Sequence, residues 1–435
     1  MKKNTGLLTL AIFSFIPILL WLVVPTPLPR FSTLGGVIVS LGQVSSLVAI
    51  VLFSLNFVIS TRLEFINKLF HGLNNAYIKH DQIGQIALVL ALLHPLLLLP
   101  KYSDSLSSAA SFFWLSSNQP YNYGIIALWG MVILVVLTLY LRPKYEIWKF
   151  IHKFFGLAFL FASLHVWLIT SDVSSFLPLR IYMLSITTTG LVAYLYKSIF
   201  GSFLIPKYHY VVSEIKEIHG AVLEITMTPK SESDKINFVA GQFVFVKFLS
   251  ENVTNEEHPF SIVSSPTEQA VTLAIKKLGD YTSILNKLEI GAKAVIEGPF
   301  GAFNSYNPKN QKQLWIAGGI GITPFLSMLS EASGKQNSQL NIDLYYCVKN
   351  QNEAVYLEKI LQLANMSVTT KFKIIPFYSE AHDHISADVL RLYSGDITNA
   401  DIFICAPPAM IHSLKENLNA ANIPASNIHS EEFNL

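Results

Sequence analysis

Charge is scarce in this sequence. Asp, Glu, Lys and Arg make up 14% of its 435 residues, against about 25% in an average soluble chain, which argues against a wholly soluble protein. The shortage is local: residues 1–200 hold 18 of the 60 charged residues and residues 201–435 hold 42. The two halves are built for different solvents. A net charge of +2 with no basic patch leaves no electrostatic footprint for nucleic acid. Cysteine is nearly absent as well: Cys347 and Cys405, far apart in the polar half, make neither a disulfide framework nor a zinc site. Serine elbows, HExxH helices, Walker loops, internal repeats and low-complexity stretches are also missing.

What the first half has is apolar length. Six runs, roughly 7–24, 36–59, 82–99, 121–141, 151–169 and 179–200, approach the about 20 apolar residues that cross a bilayer as helix. Lys2 and Lys3 precede the first, but no small-residue cleavage site stands before Pro25, Pro27 and Pro29, so it is expected to remain as a helix. Lys2, Lys3, Arg62, Lys68, Lys79, Arg142, Lys144, Lys149 and Lys197 fall on one side; Arg30, Lys101 and Arg180 fall on the other. That asymmetry predicts a multi-pass protein of the cell membrane with both termini in the cytoplasm.

Histidines sit within or beside two of these runs: His80 and His94 on the third, His152 and His165 on the fifth. Each pair spans about 20 Å of helix. Both runs cross in the same direction, so His80 shares the depth of His152, and His94 that of His165. Two imidazoles at each of two depths meet the requirement of two six-coordinate haem irons. Fourteen residues return to within about 40° of one helix face, whereas thirteen leave about 140°, so the fifth helix needs a local distortion or an oblique haem. His71 has no partner at matching spacing. A rival of another class reads the histidines as a proton relay in a non-catalytic transporter or channel with a redox-sensing cytosolic part.

Beyond Gly201 the pattern changes to short alternating runs, VVSEIKEI, AVLEITMTP, QFVFVKFL and VTLAIKKLG, which predict a small antiparallel barrel. Past Pro299 strands alternate with helices, from QLWIAGGIGITPFLSMLSEA to ADIFICAPPAM, as in a parallel sheet covered by helices. Gly318, Gly319 and Gly321 follow an apolar strand and open a helix at Thr323 and Pro324, an arrangement suited either to a pyrophosphate or to a plain tight turn. Phe260 and Thr282 suit a flat ring carrying phosphates, and equally an ordinary core position and helix cap.

Taken in order, the paired histidines, HPFSIVSSP, KKLGDYT, GPFG, GGIGITP and CAPPAM resemble the ferric reductase and NADPH oxidase superfamily in a compact prokaryotic form. The resemblance implies a six-helix transmembrane di-haem domain (1–205), an FAD-binding antiparallel β-barrel (206–305) like that of ferredoxin reductases, and an NAD(P)-binding α/β domain (306–435). His80 with His152, and His94 with His165, correspond to the ligands of two b haems. His258, Pro259, Phe260 and Ser261 correspond to the stretch around the flavin ring, with Ser261 near its reactive nitrogen. Lys276, Gly279 and Thr282 correspond to the FAD pyrophosphate site. Gly318, Gly319, Gly321, Thr323 and Pro324 correspond to the nicotinamide-nucleotide turn, and Cys405, Pro407 and Met410 to the late motif near the nicotinamide. That motif usually reads Cys-Gly-Pro, and here Ala406 replaces the glycine. Phe433 corresponds to the aromatic that stacks on the flavin and yields to the nicotinamide.

The implied activity carries electrons from cytoplasmic NAD(P)H through FAD and two haems to an acceptor across the bilayer. The outward loops hold Asp104 and Asp172 but no acidic cluster to collect bare ferric ions. Dioxygen, giving superoxide, is the expected acceptor, with a ferric chelate as the alternative. Lys349 follows LYYCV and suits either a 2′-phosphate or plain solvent, and no acidic residue at that strand end clearly selects NADH, so NADPH is the expected coenzyme with NADH open. No obligate protein partner is expected; a subunit that passes electrons to a partner protein is the other alternative.

Overall fold

A computed structural model describes residues 5–26, 29–102, 112–141, 143–219, 222–304, 310–334, 340–381 and 384–432. The chain divides into two compact units, Met1–Leu204 and Ile205–Leu435.

The first unit is helical: α1 (Thr5–Leu22), α2 (Leu34–Ser60), α3 (Glu64–Phe70), α4 (Leu73–Leu98), α5 (Gln119–Val135), α6 (Tyr145–His152), α7 (Phe155–Leu168) and α8 (Leu177–Tyr194). Among the described residues, five segments are long and apolar enough to cross a membrane: Thr5–Leu22, Leu34–Ser60, Leu73–Lys101, Gln119–Tyr140 and Tyr145–Leu168. Six crossing helices were expected, and these five do not include the sixth. The sixth run forms α8, but Arg180 and the run Thr187, Thr188 and Thr189 dilute its apolar character. Helix α2 packs against α4 and α8, and α5 against α7. The core between them holds Trp21, Val51, Phe159, Leu179 and Met183, while Phe15, Ile86, Val89, Ile133 and Ile181 point outward, as lipid-facing positions do.

The distortion demanded by the thirteen-residue spacing lies between α6 and α7. The N–H groups of Lys153, Phe154, Gly156 and Leu157 bond three residues back rather than four. Turning about 120° per residue instead of about 100°, such a stretch recovers about 80° of the about 140° offset. It swings His152 towards the face that carries His165.

The second unit opens with six strands, β1 (Tyr208–Ile218), β2 (Val222–Pro229), β3 (Phe243–Leu249), β4 (Glu257–Ser261), β5 (Val271–Lys276) and β6 (Lys293–Phe300). They form an antiparallel sheet in the order β4-β3-β6-β1-β2-β5, and a bridge between Ile262 and Leu273 joins the two ends. Five parallel strands follow: β7 (Lys312–Gly318), β8 (Asn341–Val348), β9 (Lys371–Tyr378), β10 (Asp401–Ala406) and β11 (Ile428–Glu432), ordered β11-β10-β7-β8-β9. Every residue of β10 is buried, the mark of a central strand covered on both faces. Helices α9 (Thr323–Gly334) and α10 (Pro408–Ala420) follow β7 and β10. Strand order reverses between those two strands, and ligands bind at such a switch point, beyond the strands' carboxyl ends.

Candidate functional site

The membrane unit brings the four histidines together as two pairs. His80 and His94 lie on the uninterrupted α4, His152 ends α6, and His165 is in the last turn of α7. Two imidazoles binding one metal from opposite sides, at about 2.0–2.1 Å per bond, have ring centres about 6–6.5 Å apart; those of His80 and His152 are 6.2 Å apart. His94 and His165 line one cavity of about 290 Å³, walled by Phe53, Gly124, Leu128 and Ala162 among others.

Ring orientation is fixed from behind. Nδ1 of His94 bonds the Gly42 carbonyl at 2.8 Å, that of His165 the Pro120 carbonyl at 2.7 Å, and that of His80 the Asn56 carbonyl at 3.2 Å. Since a carbonyl only accepts, each Nδ1 carries the proton and leaves the Nε2 lone pair for a ligand. His152 stacks on Trp148 with centres 4.8 Å apart. Among the described residues no three or more His, Cys, Asp or Glu side chains gather as a metal site. Two facing imidazoles could hold a metal that brings its other four ligands with it, as iron does in haem. At the cavity's polar end Asp172 binds Arg30 at 2.8 Å and accepts from the Trp21 indole at 2.9 Å. Asp104, Arg142, Lys2 and Lys3 lie outside the described residues.

In the second unit the barrel motifs converge. His258 on β4 stacks on Tyr281 of the KKLGDYT turn, with centres 4.0 Å apart, which joins two stretches about twenty residues apart in sequence. Pro259 is exposed, Phe260 half-buried and Ser261 buried. The Ser261 hydroxyl is buried with no hydrogen-bond partner, and leaving it so costs about 1–3 kcal/mol; a flavin edge beside it would supply the missing acceptor or donor. Lys276 has no charged partner among the described residues, while Lys277 pairs with Glu217 at 2.8 Å. Thr282 ties its own turn together, because its hydroxyl accepts from Leu278 N at 3.0 Å and from Gly279 N at 2.9 Å.

At the switch point the glycines are required by contact. A Cβ on Gly321 would overlap the Cys405 carbonyl, and one on Gly318 would lie 2.7 Å from the Ala406 methyl and 3.0 Å from the Met410 sulfur. Gly319 has φ +57 with open space around it, the left-handed conformation that glycine adopts freely. The methyl of Ala406 thus occupies room opposite Gly318. Thr323 and Pro324 are buried in the first turn of α9, whose N-terminus, with that of α10, opens where a pyrophosphate would bind. Burial raises the Cys405 thiol well above its ordinary pKa, so it is neutral and shapes the floor of the site. Phe433 lies outside the described residues.

Sequence reading missed Glu431. It pairs with Cys405 across the β10–β11 ladder, is buried with Oε2 unpartnered, and burial pushes its pKa up to about 8. Nothing in IHSEE distinguishes it from Glu432; only the parallel pairing does. Glu380 was also missed: its carboxylate accepts from Asn350 Nδ2 at 3.1 Å and its N–H bonds the Lys349 carbonyl, beside the expected 2′-phosphate position.

An antiparallel barrel followed by a parallel sheet with a glycine turn at its switch point is the build of a flavoprotein oxidoreductase using a nicotinamide nucleotide. Comparison with known families agrees: residues 45–163 match a ferric reductase like transmembrane component, 208–314 an FAD-binding domain, and 315–416 an oxidoreductase NAD-binding domain. The chain therefore has the ferric reductase and NADPH oxidase-like architecture, and it is a membrane protein.

Among curated relatives, the 2-halobenzoate 1,2-dioxygenase electron transfer component of Burkholderia cepacia is 29% identical over 236 residues, 51% of this chain and 66% of its own. The carnitine monooxygenase reductase subunit of Escherichia coli (strain K12) is 25% identical over 232 residues, 51% and 67% respectively. The match spans about two thirds of the length of these relatives. A flavohemoglobin from Malassezia yamatoensis, solved with bound FAD and heme, is similar in fold, with TM-score 0.53 and 16% identity over 91% of this chain and 98% of that one.

Proposed function

We propose that this protein carries electrons from NAD(P)H, NADPH first, across the membrane through FAD and two b haems to dioxygen, giving superoxide. The observation that supports it most is the paired imidazoles at two depths, three of them held by Nδ1 so that Nε2 is free. Bound there, flavin supplies the change from a two-electron hydride to single electrons, and haem iron supplies one-electron carriage. The chain's own residues do the rest. His258, Phe260 and Ser261 would orient the flavin ring, Lys276 would meet the FAD pyrophosphate, and Gly318, Gly319, Gly321, Thr323 and Pro324 would admit the nucleotide. Glu431, beside Cys405 in the β10–β11 ladder, would hold a proton at neutral pH next to the motif that would meet the nicotinamide. In the reading proposed, both termini and the second unit face the cytoplasm.

The mouth of the His94–His165 cavity favours a small neutral acceptor, because Asp172 neutralises Arg30. A ferric chelate is the second reading, favoured by Lys101 on the cavity wall, a cation with no ion pair among the described residues. Purified protein given NADPH under air, and anaerobically with ferric citrate, separates the two. Superoxide formed under air supports the oxidase reading; reoxidation by the iron compound alone ends it. A reduced-minus-oxidised spectrum without haem bands ends both.

A further inference from the structure

The two imidazole pairs are not held alike. In the His94–His165 pair both rings donate Nδ1–H to a carbonyl, at 2.8 and 2.7 Å. In the His80–His152 pair only His80 does, at 3.2 Å; His152 has no ring hydrogen bond among the described residues and leans on Trp148. Helix packing explains part of the difference. Gly42 faces His94 and Asn56 faces His80, so the anchors on α2 are spaced as the histidines on antiparallel α4 are. At Gly42 the helices approach so closely that a Cβ would lie 2.9 Å from Leu97 Cβ and 3.3 Å from the His94 carbonyl oxygen. At Gly124 a Cβ would lie 2.9 Å from Nδ1 of His165 itself. Both glycines keep a carbonyl within reach of a ring.

A short Nδ1–H···O=C bond pushes electron density onto Nε2 and makes the imidazole a stronger donor. Stronger axial donation stabilises ferric over ferrous iron and lowers the midpoint potential. We propose that the His94–His165 centre is the lower-potential one of the two, and that Gly42 and Gly124 are positioning residues that keep it so. This rests on the haem reading above. In the orientation proposed, that centre is the one next to the acceptor, and a strongly reducing last station suits dioxygen, which is hard to reduce by one electron.

The test is a potentiometric titration of the full-length holoprotein in lipid nanodiscs, followed by haem absorbance. The expected result is two one-electron waves. Gly42→Ala and Gly124→Ala each raise the lower wave, by up to about tenfold in the ferric-to-ferrous ratio at fixed potential, or about 59 mV for a one-electron couple, and leave the upper wave in place. Should either variant lose one haem, the lower wave is the one that disappears. Trp148→Phe, on the other pair, leaves the lower wave unmoved. A single unsplit wave in the unmodified protein, or a glycine variant that moves the upper wave, overturns the proposal. Absence of haem bands is visible before any titration and overturns the haem reading instead.

Discussion

Glu431 offers the sharpest quantitative test of the second unit. Burial raises its carboxyl from 4.5 to about 8. Between those values the unfolded chain has released the proton and the folded chain keeps it. Stability therefore falls as pH rises through the window, by about 1.4 kcal/mol per pH unit, and levels off above pH 8. Across the whole window the loss is about 5 kcal/mol; between pH 6 and 8 it is about 2 kcal/mol, which in a unit of this size lowers the unfolding midpoint by about 4–8 °C. Glu431→Gln keeps the shape and cannot ionise, so this slope vanishes and the variant is the more stable protein at pH 8. Thermal release of flavin fluorescence from the full-length protein, at pH 6, 7, 8 and 9 and fixed ionic strength, reads the difference. Parallel curves for the two proteins, or a native chain that gains stability from pH 6 to 8 relative to the variant, refute a carboxylic acid kept protonated by burial.

Three further outcomes are expected. Ser261→Ala removes an unpartnered buried hydroxyl, so flavin-free protein is stabilised by about 1 kcal/mol or more while flavin affinity falls; thermal melts with and without FAD separate the two effects, and equal loss in both would contradict them. Gly321→Ala drives a methyl into the Cys405 carbonyl and costs about 3 kcal/mol or more, whereas Gly319→Ala meets open space and pays only for its left-handed backbone, about 1 kcal/mol; paired melts measure both. Glu380→Gln removes a carboxylate beside Lys349 and lowers the KM for NADPH several-fold more than that for NADH, checked by steady-state rates with a soluble acceptor.

Most of the architecture was legible along the chain, because it is written in periodicity. Apolar runs near twenty residues, period-two strands and a glycine turn after a buried strand each report a local solvent requirement that any fold must meet. Composition speaks least clearly at α8, where Arg180 and three threonines dilute the apolar run of an 18-residue helix. The spacing of His152 and His165 left a distorted helix or an oblique haem open, and the tightened turn at Lys153–Leu157 came only from the hydrogen bonds.

By itself, then, the sequence determined which solvent each half faces, which strands alternate, and which histidines share a depth, all of them consequences of residue order along one element. Only tertiary structure decided which carbonyl holds which imidazole, that Glu431 rather than Glu432 is buried beside Cys405, and that His258 meets Tyr281. Those pairings join residues from different elements, and their energies depend on the distance between packed backbones, which no local pattern encodes.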